Sequence, residues 1–149
     1  MTKELRSLVL QVHSKAQMLR IVQWIGTDPM RVNELVQLFL SEEVIITQRS
    51  GYPLATIAIQ QPELISKHLK KIISLAQKPG LHHSVRRHTT KILEQIQIPN
   101  SLKGKVMTMC FDFLTDPHEQ VGVKAYSLAI LGQMLDDHPE IGQEININH

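Results

Sequence analysis

Residues 85–93, VRRHTTKIL, recur 38 positions later as residues 123–131, VKAYSLAIL. In both copies a valine and a basic residue open the stretch, and an isoleucine–leucine pair closes it. A shift of 37 positions aligns Ile73, Leu75, Arg86 and Ile96 with Val36, Leu38, Arg49 and Ile59. Self-similarity at such a period is typical of solenoids built from repeated helix pairs. We therefore predict three repeats, at about 29–61, 62–98 and 99–138.

Prolines mark the turns between the helical stretches. They stand at Pro29, Pro62, Pro79, Pro99, Pro117 and Pro139. Proline is well tolerated in the first turn of a helix, where its missing N–H would be unpaired anyway. Asp28-Pro29 and Asp116-Pro117 therefore predict helix starts capped by aspartate. Pro53 lies within the predicted second helix of the first repeat, and we expect it to kink that helix or to delay its start.

The first and last helical stretches differ in their apolar pattern. Before the repeats, apolar residues at steps of three and four predict one leading helix over about residues 4–25. The last helix is apolar on two faces, one containing Val121 and Leu128 and the other containing Val123 and Ile130. A helix of this kind is expected to lie between two layers.

Length and composition agree with one helical domain. The 149 residues are enough for a single domain, at 1–149, with a real core. Aromatic residues make up only 4% of the chain, so aliphatic side chains carry most of the apolar content. This composition favours packed helices over a sandwich or barrel. The predicted fold is all-α, an α–α superhelix of about seven helices, in three pairs plus the leading helix.

The repeat pattern resembles the HEAT/armadillo family of helical-repeat proteins. The resemblance is carried by a basic residue early in each second helix, at Arg86 and Lys124 within the recurring stretches. Residues 86–93, 110–117 and 124–131 together are similar to small bacterial HEAT-like proteins of undefined role. The resemblance implies a superhelix that binds other macromolecules along a concave face. It also implies that the recurring basic residues, Arg49, Arg86 and Lys124, tie each inner helix to the turn before it.

Several function classes find no support in the sequence. No apolar run is long enough for a membrane span, and the charged N-terminus does not resemble a secretory signal, so we expect a cytoplasmic protein without a membrane partner. No phosphate-binding glycine loop and no G-x-S-x-G motif occurs. We predict no enzyme, no catalytic residue and no cofactor.

Two residue types that often carry chemistry receive structural interpretations. His82, His83 and His88 lack the i, i+4 spacing that places two imidazoles on one metal ion, so no metal site is predicted. The single cysteine, Cys110, lies within an apolar stripe, with no basic residue one turn away to lower its pKa. We expect it to be a small buried hydrophobic residue.

The charge of the chain is small overall but unevenly distributed. Residues 1–66 are neutral, residues 67–105 carry a net charge of +8, and residues 106–149 carry −6. Part of the positive charge, the groove stripe of His83, Arg87 and Lys91, follows steps of four along one helix. If the second helices line the concave face, this stripe is the candidate contact surface for an anionic partner.

A second part of the positive charge lies on the preceding helix. This outer lysine stripe consists of Lys67, Lys70, Lys71 and Lys78, and its expected face is convex. A division between two faces disfavours a nucleic-acid site, which needs a contiguous basic track with stacking aromatic residues. We therefore predict a module that binds a protein or peptide. The alternatives are a nucleic-acid-binding protein with a basic groove, and weak self-association through the +8 and −6 segments.

Overall fold

The computed structural model describes residues 2–11 and 13–137, and these form eight α-helices and no strand. The helices are α1 (Thr2–Gln11), α2 (Lys15–Ile25), α3 (Pro29–Phe39), α4 (Val44–Gln60), α5 (Leu69–Ala76), α6 (His83–Gln95), α7 (Asn100–Thr115) and α8 (Val121–Asp137). Two short 3₁₀ turns, Pro62–Leu64 and Ser66–His68, lead into α5. The prediction of an all-α fold is confirmed.

The helices form two layers. The second helices of the pairs, α2, α4, α6 and α8, pack on one another in chain order, and α3, α5 and α7 pack outside them. We call the exposed side of this second-helix layer the inner face. Aliphatic side chains fill the space between the layers, and Leu35, Ile57, Ile73 and Leu93 are fully buried there. This arrangement is an α–α superhelix of stacked helix pairs.

The predicted leading helix is wrong, because its residues form the separate helices α1 and α2. Ser14 caps α2 by accepting a hydrogen bond from the Gln17 backbone N–H over 3.1 Å. The Gln17 side chain donates in turn to the Leu8 carbonyl at the end of α1. Ser14 and Gln17 have the spacing of a capping box, which is the local signal for a helix start. The count of about seven helices is therefore corrected to eight, and a fourth pair precedes the predicted repeats.

Pro53 does not delay the start of its helix. Helix α4 begins at Val44, nine residues before Pro53, and continues to Gln60. The Pro53 ring is buried, so it packs in the core. One turn before it, the Ser50 hydroxyl donates to the Ile46 carbonyl over 2.6 Å. The predicted delay in the helix start is thus wrong.

Of the two predicted aspartate caps, one is confirmed and one is wrong. Asp28 accepts from the Met30 N–H over 2.9 Å at the start of α3. Asp116 makes the equivalent bond to the His118 N–H, but the chain then forms a turn, and α8 begins only at Val121. The intervening residue Glu119 forms a buried ion pair, which is described below. This ion pair keeps the segment out of the helix.

Within the described part of the chain, only one side of the last helix, α8, is covered. Val123, Ile130, Leu131 and Met134 are buried, whereas Val121 and Leu128 are 82% and 56% exposed. The expectation that both apolar faces lie between layers is therefore not met within residues 2–11 and 13–137. The segment after Pro139 lies outside the described residues.

The helix pairs α3–α4, α5–α6 and α7–α8 fall within residues 29–61, 62–98 and 99–138. The organisation as one domain with these repeat boundaries stays a prediction. Among the described helices, none combines the length and the apolar character that crossing a membrane requires.

Candidate functional site

The predicted groove stripe lies on α6. Within this helix Val85, Thr89 and Ile92 are buried, so the opposite side of the helix is the one that faces solvent. Arg87 is exposed there, whereas His83 and Lys91 are half-buried. Burial lowers the pKa of His83, and the neighbouring His82 and Arg86 lower it further. The stripe therefore combines two cationic side chains with a histidine that resists protonation.

The adjacent residues Arg86 and Arg87 have different environments. The Arg86 Nε donates to Glu119 Oε2 over 2.7 Å, and its Nη1 donates to the Leu81 carbonyl over 2.9 Å. The Glu119 side chain is 2% exposed, so this is a buried ion pair between α6 and the turn before α8. The predicted tie to the preceding turn is confirmed for Arg86 through Leu81. Arg87 instead lies with its guanidinium against Gly122 of α8.

The other two recurring basic residues behave differently from Arg86. Arg49 Nη1 donates to the Leu10 carbonyl of α1 over 3.0 Å and does not pair with Glu42. Glu42 pairs with Lys78 at 3.6 Å. Among the described residues Lys124 forms no ion pair with Asp116. The predicted tie to the preceding turn is therefore wrong for Arg49, which links α4 to the first pair.

An aromatic contact joins α4 and α6 beneath the exposed surface. The Tyr52 ring on α4 meets the His88 ring edge-on, with 4.5 Å between centroids, and His13 lies 5.2 Å from Tyr52 on the other side. Tyr52 is 42% exposed, whereas His88 is buried. Gly51 makes this contact possible, because a Cβ at that position would lie 2.2 Å from the His88 Cδ2.

The pKa of His88 reflects the charges that surround this contact. Burial, followed by the nearby Lys91, Arg87 and His13, lowers the pKa of His88 to about 4, while a hydrogen bond to the Gln48 backbone opposes them. The imidazole is therefore neutral at neutral pH. The cations Lys91 and Arg87 and the His13 ring lie close to this imidazole. We call the surface formed by His13, Tyr52, Arg87 and Lys91 the inner-face band.

The cations of the inner-face band lack acidic partners in the described part of the chain. The ion pairs found there involve Arg6, Arg31, Lys78 and Arg86, and none involves Arg87 or Lys91. Their positive charge therefore remains available to an external anion.

A cavity of about 330 Å³ adjoins the band between α1, α2 and α4. Its lining consists of Val9, His13, Ser14, Lys15, Gln17, Met18, Ile21, Arg49 and Tyr52. Val9, Met18 and Ile21 are apolar, and no described acidic residue takes part. Tyr52 and His13 belong both to the cavity wall and to the inner-face band, so the two features form one continuous surface.

The outer lysine stripe lies where it was predicted, on and beside the outer helix α5. All four lysines are exposed. Three of them, Lys70, Lys71 and Lys78, border an open hollow of about 490 Å³ next to Ser74. The Lys105 ammonium donates to the Ser74 hydroxyl over 2.6 Å. The basic segment thus divides between two faces of one helix pair.

The remaining candidates are the cysteine and the histidines, and their surroundings indicate structural roles. Cys110 is fully buried, as predicted, and burial raises the pKa of its thiol to about 12. His82 and His83 stack at the start of α6, with 4.3 Å between centroids, while His88 points toward α4. Within the described ranges no group of three histidine, cysteine or acidic side chains could hold a metal ion.

Sequence reasoning identified Arg87 and Lys91 but missed Tyr52 and His88. It considered Pro53 but not the adjacent Tyr52, and it considered His88 only as a metal ligand. The available signal was Gly51, a glycine inside a helix, because such a residue often marks a close approach by another element.

Comparison with known proteins agrees with the fold. A family model described as a HEAT repeat domain matches residues 5–148. No curated protein and no solved structure matches the chain. HEAT repeats form helical modules that commonly mediate protein interactions and are generally non-enzymatic scaffolds. The resemblance predicted from the recurring stretches is confirmed, and the chain belongs to the HEAT repeat family.

Proposed function

We propose that this chain is a non-enzymatic module that binds an acidic segment of a protein or peptide along its inner face. The observation that carries the proposal is the inner-face band. In this band Arg87 and Lys91 lie near the His88 imidazole, which contacts the exposed Tyr52 ring, and neither cation has a described acidic partner. Stacked helix pairs commonly use such an extended face for macromolecular recognition.

The cations of the band lie beside other elements of the fold. Arg87 lies against Gly122 of α8, and Lys91 is half-buried one turn beyond the buried His88. Each charge-assisted hydrogen bond to a carboxylate contributes about 1.5–3 kcal/mol.

The exposed Tyr52 ring distinguishes the inner-face band from a surface that carries basic residues alone. Tyrosine and arginine are enriched at the energetic centres of protein interfaces. Tyr52 meets the His88 ring edge-on and is 42% exposed, so it adds an apolar surface to the band. This combination supports a peptide or protein partner with acidic residues on either side of an apolar one.

The outer lysine stripe favours a second candidate, nucleic acid. Its exposed lysines could contact a phosphate backbone, which requires positive charge but no particular side-chain order. Residues 67–105 contain no Phe, Tyr or Trp on which bases could stack. We therefore rank nucleic acid below an acidic peptide.

Self-association is the third candidate, and the exposed side of α8 favours it. Val121 and Leu128 present apolar surface there, and residues 106–149 carry a net charge of −6. A salt-sensitive dimer in sedimentation would support this candidate, and a monomer at low salt would exclude it.

The test compares two charge-matched double variants. A short fluorescein-labelled peptide of alternating glutamate and alanine is titrated with protein at low salt, and binding is followed by fluorescence anisotropy. Arg87→Ala with Lys91→Ala removes two charges from the inner-face band. Lys70→Ala with Lys71→Ala removes two charges from the outer lysine stripe, so the net charge of the two proteins is the same.

We expect the first double variant to lose affinity by at least about tenfold, which corresponds to about 1.4 kcal/mol. The affinity of the second double variant should stay within about twofold of that of the natural chain. Its two lysines would act on the bound peptide only through weak long-range electrostatics. Equal losses in both variants would overturn the proposal, and so would an absence of binding at low salt. Tighter binding of single-stranded DNA, lost in the lysine variant, would favour the second candidate.

A further inference from the structure

The cavity beside the inner-face band has an apolar floor and a cationic rim. Val9 and Ile21 are 1% and 2% exposed, and the half-buried Met18 lies between them and solvent. The rim carries Lys15, Arg49 and His13. This pattern fits a ligand whose apolar part enters the cavity while negative charges remain outside.

The polar groups in the wall are already satisfied within the chain. The Gln17 side chain donates to the Leu8 carbonyl, and the Ser14 hydroxyl accepts from the Gln17 N–H. The Arg49 guanidinium is held at the rim by the Leu10 carbonyl, and it keeps further N–H donors for an external acceptor. The floor therefore requires no hydrogen bond from an occupant, which favours an apolar side chain over a polar small molecule.

The volume distinguishes between kinds of apolar side chain. The cavity measures about 330 Å³. This space is larger than one branched aliphatic side chain fills and accommodates an aromatic ring. The Met18 thioether supports the same choice, because sulfur makes favourable contacts with ring edges. Tyr52 adds a second aromatic surface at the mouth.

We propose that the cavity receives an aromatic side chain of the acidic peptide that the inner face binds. The inference rests on the proposed function and adds an anchor to it. Tyr52 lines the cavity and contacts His88, so a peptide anchored in the cavity continues across Tyr52 toward Lys91 and Arg87. Acidic residues beside the anchor then face Lys15 and Arg49 on one side and the inner-face band on the other.

The first arm of the test needs no protein variant. The labelled glutamate–alanine peptide is compared with the same peptide carrying one central tryptophan in place of an alanine. A buried aromatic anchor typically contributes 2 kcal/mol or more, so the tryptophan peptide should bind roughly 30-fold more tightly. Equal affinities of the two peptides for the natural chain would overturn the anchor proposal.

The second arm of the test asks whether the tryptophan anchor binds in the cavity. Met18→Trp fills the cavity from its own wall and should abolish the preference for the tryptophan peptide. Leu19→Trp adds the same side chain one position along α2, at a residue that is 49% exposed and does not line the cavity. This control should keep the preference. A preference that survives in Met18→Trp, whose folding is checked by circular dichroism, would contradict the proposal.

The two proposals fail in different ways. If both peptides bind equally and both lose affinity in Arg87→Ala with Lys91→Ala, the inner-face proposal stands and the anchor is wrong. If the tryptophan peptide is preferred but the double variant changes nothing, the anchor stands and the contribution of those two charges is wrong. If neither peptide binds at low salt, both proposals are overturned.

Discussion

The inner-face band and the outer lysine stripe come from one basic segment of the chain, yet the structure builds them differently. Tyr52 and the buried His88 support the band, and Arg87 rests on the neighbouring helix α8. The lysines of the stripe are exposed, and Lys78 already pairs with Glu42. A helix pair sends successive stretches of sequence to opposite faces, so a local excess of charge does not by itself define a binding surface.

The difference depends on what lies beneath each surface. Under the band, the Gly51 backbone, the His88 imidazole and the Phe39 ring form a packed layer. Under the stripe, the aliphatic core of α5 supports flexible side chains without fixing their charged ends. The band should therefore respond to changes in its buried layer, whereas the stripe should not.

The largest expected effect is a loss of stability at acid pH that comes from His88. Its pKa is about 4 in the folded chain and about 6.5 when unfolded, so the unfolded chain binds more protons between these values. The contribution of His88 is fully present above about pH 6.5 and is lost as the pH falls toward 4. Between about pH 7 and pH 4.5 the free energy of unfolding should fall by roughly 2–3 kcal/mol. Urea denaturation at each pH measures this fall.

His88→Gln provides the control for this prediction. The amide keeps an N–H donor for the Gln48 backbone but does not titrate in this range. The groups that face the imidazole, Arg87, Lys91 and His13, remain in the variant. His68 and His83, whose pKa values burial also lowers, contribute equally to both proteins. An unchanged pH dependence in His88→Gln would show that His88 is not its source.

The next effect concerns two glycines that contact adjacent residues of α6. Gly51→Ala places a Cβ within 2.2 Å of the buried His88 ring, which is confined by Tyr52 and Phe39. Overpacking of this kind costs roughly 1–3 kcal/mol, more than the ~1 kcal/mol gained from replacing a helical glycine. Thermal and urea denaturation should show a net loss of up to about 2 kcal/mol, together with weaker peptide binding.

Gly122→Ala is the matched change on the other side of α6. Its Cβ would lie 2.7 Å from the Arg87 Nη1, the far end of an exposed and flexible side chain. The guanidinium can move away, so stability should stay within about 0.5 kcal/mol of the natural chain. Equal destabilisation by the two alanines would contradict the view that only the α4–α6 contact is rigid.

Periodicity predicted the fold well, because a repeat pattern reports which faces are buried. It correctly predicted the all-α fold and the buried Cys110. It failed at Ser14, where a cap of one hydrogen bond splits a continuous apolar pattern into two helices. It also failed at Glu119, since the partner of Arg86 lies 33 residues away and belongs to the next pair.

Only half of the candidate site could be predicted from the sequence. Arg87 and Lys91 lie on one helix, so their spacing was enough to place them on a common face. Tyr52 and His88 come together across the α4–α6 contact, and their proximity depends on the missing side chain of Gly51. No helical period encodes such a contact between helices. The cavity likewise depends on the α1–α2 break, which the apolar pattern concealed.

The most direct test of the inner-face proposal is the location of bound peptide on the folded chain. Backbone amide shifts of ¹⁵N-labelled protein are followed by NMR while the glutamate–alanine peptide carrying tryptophan is added at low salt. The account predicts the largest shifts at Gly51 and Tyr52 and at Arg87 through Lys91, with little change at Lys67, Lys70 and Lys71. Shifts centred on those outer lysines, or no shifts at all, would contradict it.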